Sequence, residues 1–254
     1  MSGPARPRAP RPASARSKPQ HPAASAVGVD TGGTFTDVVA WRGGERTAFK
    51  LPSTPREPAA AVLEALARVG ADRTTQVRHG STVATNALLE RRGARVTLVT
   101  TAGFEDVLEV GRQDRPDIYA LQPRRRPPLV PRSRRLGACE RLAAGGKVVV
   151  PLEDAEIAAV VRRVRASRPQ AIAVGLLHAW SAPAHERRLA RALRKLGVPV
   201  TSAVELVPEI REYERLATTV ANAFLVPRLR DYLQTLAASG RGQFEVVLSH
   251  GGTA

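Results

Sequence analysis

Ten residues near the start of the chain bring together the groups that handle phosphate: Gly28–Val29–Asp30–Thr31–Gly32–Gly33–Thr34–Phe35–Thr36–Asp37. Paired glycines let the backbone turn tightly and approach a ligand with no Cβ in the way. The N–H groups freed at such a turn, with the hydroxyls of Thr34 and Thr36, are donors suited to phosphate oxygens. Asp30 and Asp37 suit Mg²⁺, a hard cation that takes one or two carboxylates and keeps several waters. Asp30, Gly32, Gly33, Thr34, Thr36 and Asp37 are therefore read as a phosphate- and Mg²⁺-binding loop, with the metal held partly through water. The plainer alternative is a hairpin whose turn is merely tight and whose threonines serve strand propensity. The density of polar groups in so short a span favours the ligand loop. It is not a Walker loop, because no Gly-Lys-Ser/Thr follows, and not a dinucleotide fingerprint, because no third glycine opens a helix.

The surrounding elements must position this loop. Residues 27–30 and 34–41 read as strands flanking the glycines, and Arg42–Gly43–Gly44 turns the chain into a third strand over 45–51, an antiparallel opening. Val62, Leu63, Leu66 and Val69 line one face of a helix predicted over 55–69, closed by Gly70. A strand from Gln76 leads into a helix that starts at Ser81 or Thr82 and ends near Arg91; a short buried strand follows over 96–99. Residues 111–150 read as irregular, with a hairpin across 144–146. A second α/β stretch has a helix through Ile157, Val160, Val161 and Val164, and a strand over 171–177 apolar enough to be covered on both faces. Ser181 is expected to cap the next helix. Residues 212–239 form a long helical stretch that Pro227 should kink or split, and 244–248 begin another strand. Ending on a strand and a glycine turn, the chain reads as a fragment of a longer protein. The expected domains are a disordered Pro/Ala/Arg-rich extension over 1–25, a domain over 26–203 and the beginning of another over 204–254.

Composition narrows the function classes. At 254 residues with 43% apolar and 4% aromatic content, the chain can bury a core built from Val, Leu and Ala. No apolar run reaches the roughly 18 residues of a membrane helix, so no membrane role is expected. The single cysteine, Cys139, allows no internal disulfide; a cytoplasmic location fits, and Cys139 reads as a small hydrophobe. The formal charge of +16 lies in Pro-interrupted runs and on helix faces without interleaved aromatics. That pattern offers no stacking platform and argues against specific nucleic-acid binding.

Four blocks in order resemble the amino-terminal part of the hydantoinase A / 5-oxoprolinase family, which includes the N-methylhydantoinase A and acetone carboxylase beta subunit relatives. They are residues 28–37; His79–Gly80–Ser81–Thr82–Val83–Ala84–Thr85–Asn86–Ala87–Leu88; Gly111–Arg112–Gln113 with Arg115–Pro116; and residues 208–215 with Thr218–Thr219. Ser249–His250–Gly251–Gly252 is a weaker fifth. The resemblance implies an α/β fold: the ribonuclease-H-like N-terminal lobe of an actin/Hsp70-type ATPase, a mixed sheet with flanking helices, cut before the second lobe. It implies ATP and Mg²⁺ as cofactors and a small cyclic amide as substrate, opened with ATP hydrolysis. Phosphorylating an amide oxygen makes the carbonyl electrophilic, and such transfer depends on positioning and charge neutralisation.

In the second block, Ser81, Thr82 and Thr85 crowd a helix start that favours an anion. His79, Ser81, Thr82 and Asn86 are the expected substrate contacts, alongside helix capping by Ser81 or Thr82. Arg112 and Gln113 are suited to clamp a carboxylate; Glu212, Tyr213 and Arg215 read as a charged surface face. No catalytic base is identified. Relatives continue into a second phosphate-gripping lobe, so this chain is expected to need a C-terminal lobe or a hydantoinase B type partner subunit, to be inactive alone, and to be oligomeric when complete. A subunit of an ATP-dependent ketone carboxylase is the alternative within enzymes, and a non-catalytic remnant the alternative outside them.

Overall fold

The computed structural model describes residues 24–114, 118, 119, 121, 126–248, 252 and 253. The extension over 1–25 lies almost wholly outside the described residues, as do residues 115–116 of the third block and 249–251 of the fifth.

Strand β1 (Ala26–Thr31), β2 (Phe35–Arg42) and β3 (Glu45–Pro52) form the expected antiparallel meander. The β2–β3 turn uses Gly43 and Gly44 at φ +57° and +88°, a region that costs other residues. Alternation sets the faces: Val27, Val29 and Thr31 of β1 and Thr36, Val38 and Ala40 of β2 are buried, and the residues between them face away. Helix α1 (Pro58–Arg68) has Pro58 at its start and buries Val62, Ala65 and Leu66 against that face. Strand β4 (Gln76–Ser81) returns parallel to β1, and α2 (Val83–Leu89) follows after one residue.

A second sheet begins with β5 (Val96–Thr101), buried along its whole length. The short α3 (Val107–Val110) precedes β6 (Arg135–Ala138), which pairs parallel to β5 inside a stretch expected to be irregular. Sequence patterning misses β6 because Arg-Leu-Gly-Ala carries neither alternation nor β-branched residues. The expected hairpin is present as β7 (Arg141–Leu142) and β8 (Val148–Val150). Then come α4 (Asp154–Ala166), β9 (Ala171–Gly175), α5 (Ala184–Arg194), β10 (Val200–Ser202), α6 (Ala203–Leu206), α7 (Glu212–Ala238) and β11 (Gln243–Val246). α5 begins after Pro183, and the Ser181 hydroxyl instead donates to the His178 carbonyl.

Two sheets result: a mixed one ordered β11-β4-β1-β2-β3, in which only β2 runs against the rest, and a parallel one ordered β10-β9-β5-β6. Helix α7 serves both. Leu216, Val220, Ala223 and Phe224 fill the core of the parallel sheet, whereas Tyr232 and Leu236 fill that of the mixed sheet. At about 100° per residue, the two stripes lie on nearly opposite sides of the helix. Pro227 falls between them, and the helix runs through it unbroken, held by packing at both ends. The structure therefore draws no break at 203/204: α7 completes both cores, and β11 is the fifth strand of the mixed sheet.

Two further expectations are corrected. Arg215 is not on a surface face. It is fully buried, its Nη2 donating to the Leu176 carbonyl at 2.8 Å and to Glu212 at 3.0 Å. Cys139 is exposed rather than buried as a small hydrophobe.

Candidate functional site

The β1–β2 turn closes with the Gly32 N–H donating to the Phe35 carbonyl at 3.0 Å. Neither turn glycine has positive φ; the need is for space. A Cβ on Gly32 would sit 3.1 Å from the Phe35 oxygen, and one on Gly33 would face the Asn86 amide at 3.6 Å. Asp30 and Asp37 are directly opposite each other across β1 and β2, so their carboxylates share one sheet face, and both are exposed. Lys50, opposite Asp37 on β3, pairs with it at 2.9 Å. On the other side of Asp30 stands Gly80 of β4, where a Cβ would come within 2.8 Å of Asp30 Oδ1. Gly80 thus makes the space in which the Asp30 carboxylate lies.

The other face of the turn borders a cavity of about 80 Å³ lined by Thr31, Gly32, Gly33, Thr82, Asn86 and Arg228, among others. The structure brings Gly32, Gly33, Thr82 and Asn86 together there. Asp30 and Asp37 stand one residue away on the opposite face of the sheet. Thr34 is exposed on the turn, its carbonyl accepting from the Ser53 N–H at 2.8 Å. Thr36 is fully buried, with Oγ1 3.0 Å from Ser53 Oγ. Its hydroxyl therefore orients Ser53, which lines the cavity, and faces no ligand space itself.

α2 is seven residues long and its Thr82 side chain makes no cap bond. The Thr82 hydroxyl donates to the Thr31 carbonyl at 3.1 Å and accepts from Asn86 Nδ2 at 3.2 Å. Ser81 Oγ accepts from the Val83 N–H at 3.2 Å. These bonds tie β4 and α2 to the turn and aim the Asn86 amide at Gly33.

His79 does not reach the cavity. It is 1% exposed, with Nδ1 3.1 Å from the Val29 carbonyl and Nε2 2.5 Å from the Tyr232 hydroxyl. A carbonyl only accepts, so Nδ1 carries the proton in the neutral ring and Nε2 accepts from Tyr232. Burial lowers the His79 pKa, against smaller opposing effects of the Val29 bond and the Asp30 charge. Burial raises the Tyr232 pKa, with the Ser81 and Thr31 hydroxyls pulling the other way. His79 is a buried anchor joining β1, β4 and α7 beneath the turn, which corrects the expectation that it touches substrate.

Arg112 lies elsewhere. Its Nε donates to Glu214 at 2.8 Å, a bond that raises the arginine's pKa and lowers the glutamate's, and its guanidinium sits 5.9 Å from the Tyr213 ring. The third and fourth sequence blocks meet there, at the start of α7, away from the glycine turn. Sequence reasoning missed Thr31, Ser53, Gly80, Tyr232 and Arg228. Gly80 sits inside the second block and was open to notice as a glycine within a strand; Arg228, some 195 residues after the turn, carried no local signal.

Fold and site together define a two-sheet α/β protein with a cavity at a strand–glycine turn–strand. The chain belongs to the hydantoinase/oxoprolinase family: the family's N-terminal region matches residues 26–197. It is 35% identical to the caprolactamase subunit alpha of Pseudomonas jessenii over 84% of this chain and 33% of that protein. It is 34% identical to the acetophenone carboxylase gamma subunit of Aromatoleum aromaticum over 91% of this chain and 36% of that protein. The crystal structure of the ATP-dependent caprolactamase from Pseudomonas jessenii superposes with a TM-score of 0.76 at 34% identity, covering 90% of this chain and 36% of that one. The chain thus spans about a third of the length of these relatives.

Proposed function

We propose that this chain is the N-terminal, ribonuclease-H-like lobe of an ATP-dependent enzyme that opens a small cyclic amide, and that its glycine turn is one jaw of the nucleotide site. The carrying observation is the pair Asp30 and Asp37, directly opposed and exposed beside Gly32–Gly33, with Gly80 leaving room for one of them. The strand order with a single reversed strand supports the lobe assignment. A polyphosphate lying across the turn meets the cavity on one side and the carboxylates on the other. Two carboxylates with open water around them fit Mg²⁺, which needs few protein ligands when phosphates and waters supply the rest; when bound, the ion neutralises charge on the phosphates. The residues of the chain then orient. Gly32 and Gly33 admit the phosphates, Asn86 faces the turn, and Thr82 holds Asn86 in place. The cavity is far smaller than the roughly 300–1,000 Å³ of a small-molecule pocket, so it supports a phosphate subsite, with the nucleoside held by a further lobe or a partner subunit in a cytoplasmic, oligomeric assembly.

A ketone-carboxylase subunit is the second reading, supported by the similarity to the acetophenone carboxylase gamma subunit. Both readings use the same jaw. Calorimetric titration of Mg·ATP into the chain tests it. Binding should require Mg²⁺ and weaken about tenfold in Asp30→Asn or Asp37→Asn. Equal binding with and without Mg²⁺, or unaltered binding by both variants, overturns the reading.

A further inference from the structure

Arg228 of α7 lines the cavity at the glycine turn and also a second chamber of about 460 Å³ between α1 and α7; Pro58 and Val83 line both as well. The two spaces are therefore neighbours that share a wall of three residues, Arg228 among them. Arg228 is half-buried, and no hydrogen bond or ion pair engages its side chain among the described residues. A partly desolvated guanidinium without a carboxylate is unfavourable until an anion meets it. The larger chamber is lined by Ala59, Ala60, Leu63, Val83 and the Tyr232 ring, with the polar Arg56, Glu57, Asp231 and Thr235 in the same lining. Its volume falls within the roughly 300–1,000 Å³ range of small-molecule sites.

We propose that the two chambers form one site for a phosphorylated small molecule, its phosphoryl head on Arg228 beside the glycine turn and its compact body in the chamber between α1 and α7. This deepens the jaw reading, since it places the phosphoryl group of an acceptor where a terminal phosphate of the nucleotide would lie. The anion contact itself needs neither Mg²⁺ nor the two aspartates. The head chamber, which Glu90 also lines, accepts no more than a single phosphoryl group, and the body chamber has room for a single ring.

The test is titration of phenyl phosphate and of inorganic phosphate into the chain without Mg²⁺, followed by calorimetry or ligand-observed NMR. Phenyl phosphate should bind at least about fivefold more tightly than inorganic phosphate, from burial of its ring. Arg228→Gln should weaken both by about tenfold, with Arg228→Lys retaining most of the affinity. Ala60→Phe, at an exposed helix position where folding is insensitive to size, should fill the body chamber, cancel the advantage of the ring and leave inorganic phosphate unchanged. Unaltered melting temperatures establish that all three variants are folded. Equal affinity for the two anions, unchanged binding by Arg228→Gln, or no binding of phenyl phosphate by the unsubstituted chain overturns the proposal. None of these outcomes touches the Mg·ATP titration, where Asp30 and Asp37 decide.

Discussion

Like charges directly opposite on neighbouring strands repel, and Asp30 and Asp37 are such a pair. The Lys50 ammonium offsets part of that repulsion from the far side of Asp37. If the pair holds a cation, as proposed, the repulsion that Lys50 leaves uncompensated is a stability cost of the site. Asp30→Asn should therefore leave the chain equally stable or stabilise it by a few tenths of a kcal/mol, measured by urea unfolding, while Mg²⁺-dependent nucleotide binding weakens about tenfold. A clear loss of stability would mean that Asp30 is a structural residue. Beneath the turn the logic reverses. Tyr232→Phe removes the hydroxyl that donates to the buried His79 Nε2 and should cost about 1–3 kcal/mol. His79 itself predicts a pH dependence. Its folded pKa lies below the ordinary 6.5 because the ring is buried, so the unfolded chain takes up the proton first as pH falls. Stability should be level above about pH 6.5, decline as pH drops below it, and stop declining once pH is under the folded pKa. Urea midpoints between pH 8 and 5 measure this, and His79→Gln should flatten the decline.

At the scale of elements, what was legible was what repeats locally. The β1–β2–β3 meander followed from period-two alternation and two glycine pairs, and α1, α4 and α5 from one-sided apolar spacing. Half of the proposed phosphate loop was equally legible, because Gly32, Gly33, Asp30 and Asp37 are neighbours in sequence. What was illegible came from long range. Polar His79 reads as a ligand contact until Tyr232 arrives from α7 to occupy it, and Thr36 reads as a phosphate donor until Ser53 takes its hydroxyl. α7 was hardest, because its two apolar stripes face opposite ways and cancel over the helix as a whole. Its sockets are visible only in three dimensions: a Cβ on Gly93 would lie 2.3 Å from the Phe224 ring, and one on Gly175 would lie 2.5 Å from Leu216. Gly93→Ala should then destabilise by about 1–3 kcal/mol through overpacking, as read by the shift in the urea midpoint. A neutral result would show that α7 sits loosely on the parallel sheet.

For the whole molecule, α7 makes the two sheets one cooperative body. The family match ends at residue 197, and the sequence itself suggests a boundary near 203, yet the cores do not close there. Leu216, Val220, Ala223 and Phe224 complete one, and Tyr232 and Leu236 the other. Leu216, Val220, Phe224 and Leu236 alone, at about 1.5–3 kcal/mol each, amount to roughly 6–12 kcal/mol, comparable to the net stability of about 5–15 kcal/mol typical of a folded protein. Removing them also strips Tyr232 from His79 and Arg228 from the cavity at the turn. A chain ending at residue 203 should consequently lose its cooperative urea transition and the dispersion of its amide NMR spectrum, and the detached segment 204–254 should be unstructured alone. Mixing the two pieces should restore dispersion, because the interface they share is the interior of both sheets. A sharp unfolding transition from the 24–203 piece by itself would show that each sheet can close its own core, and α7 would then be an appended helix.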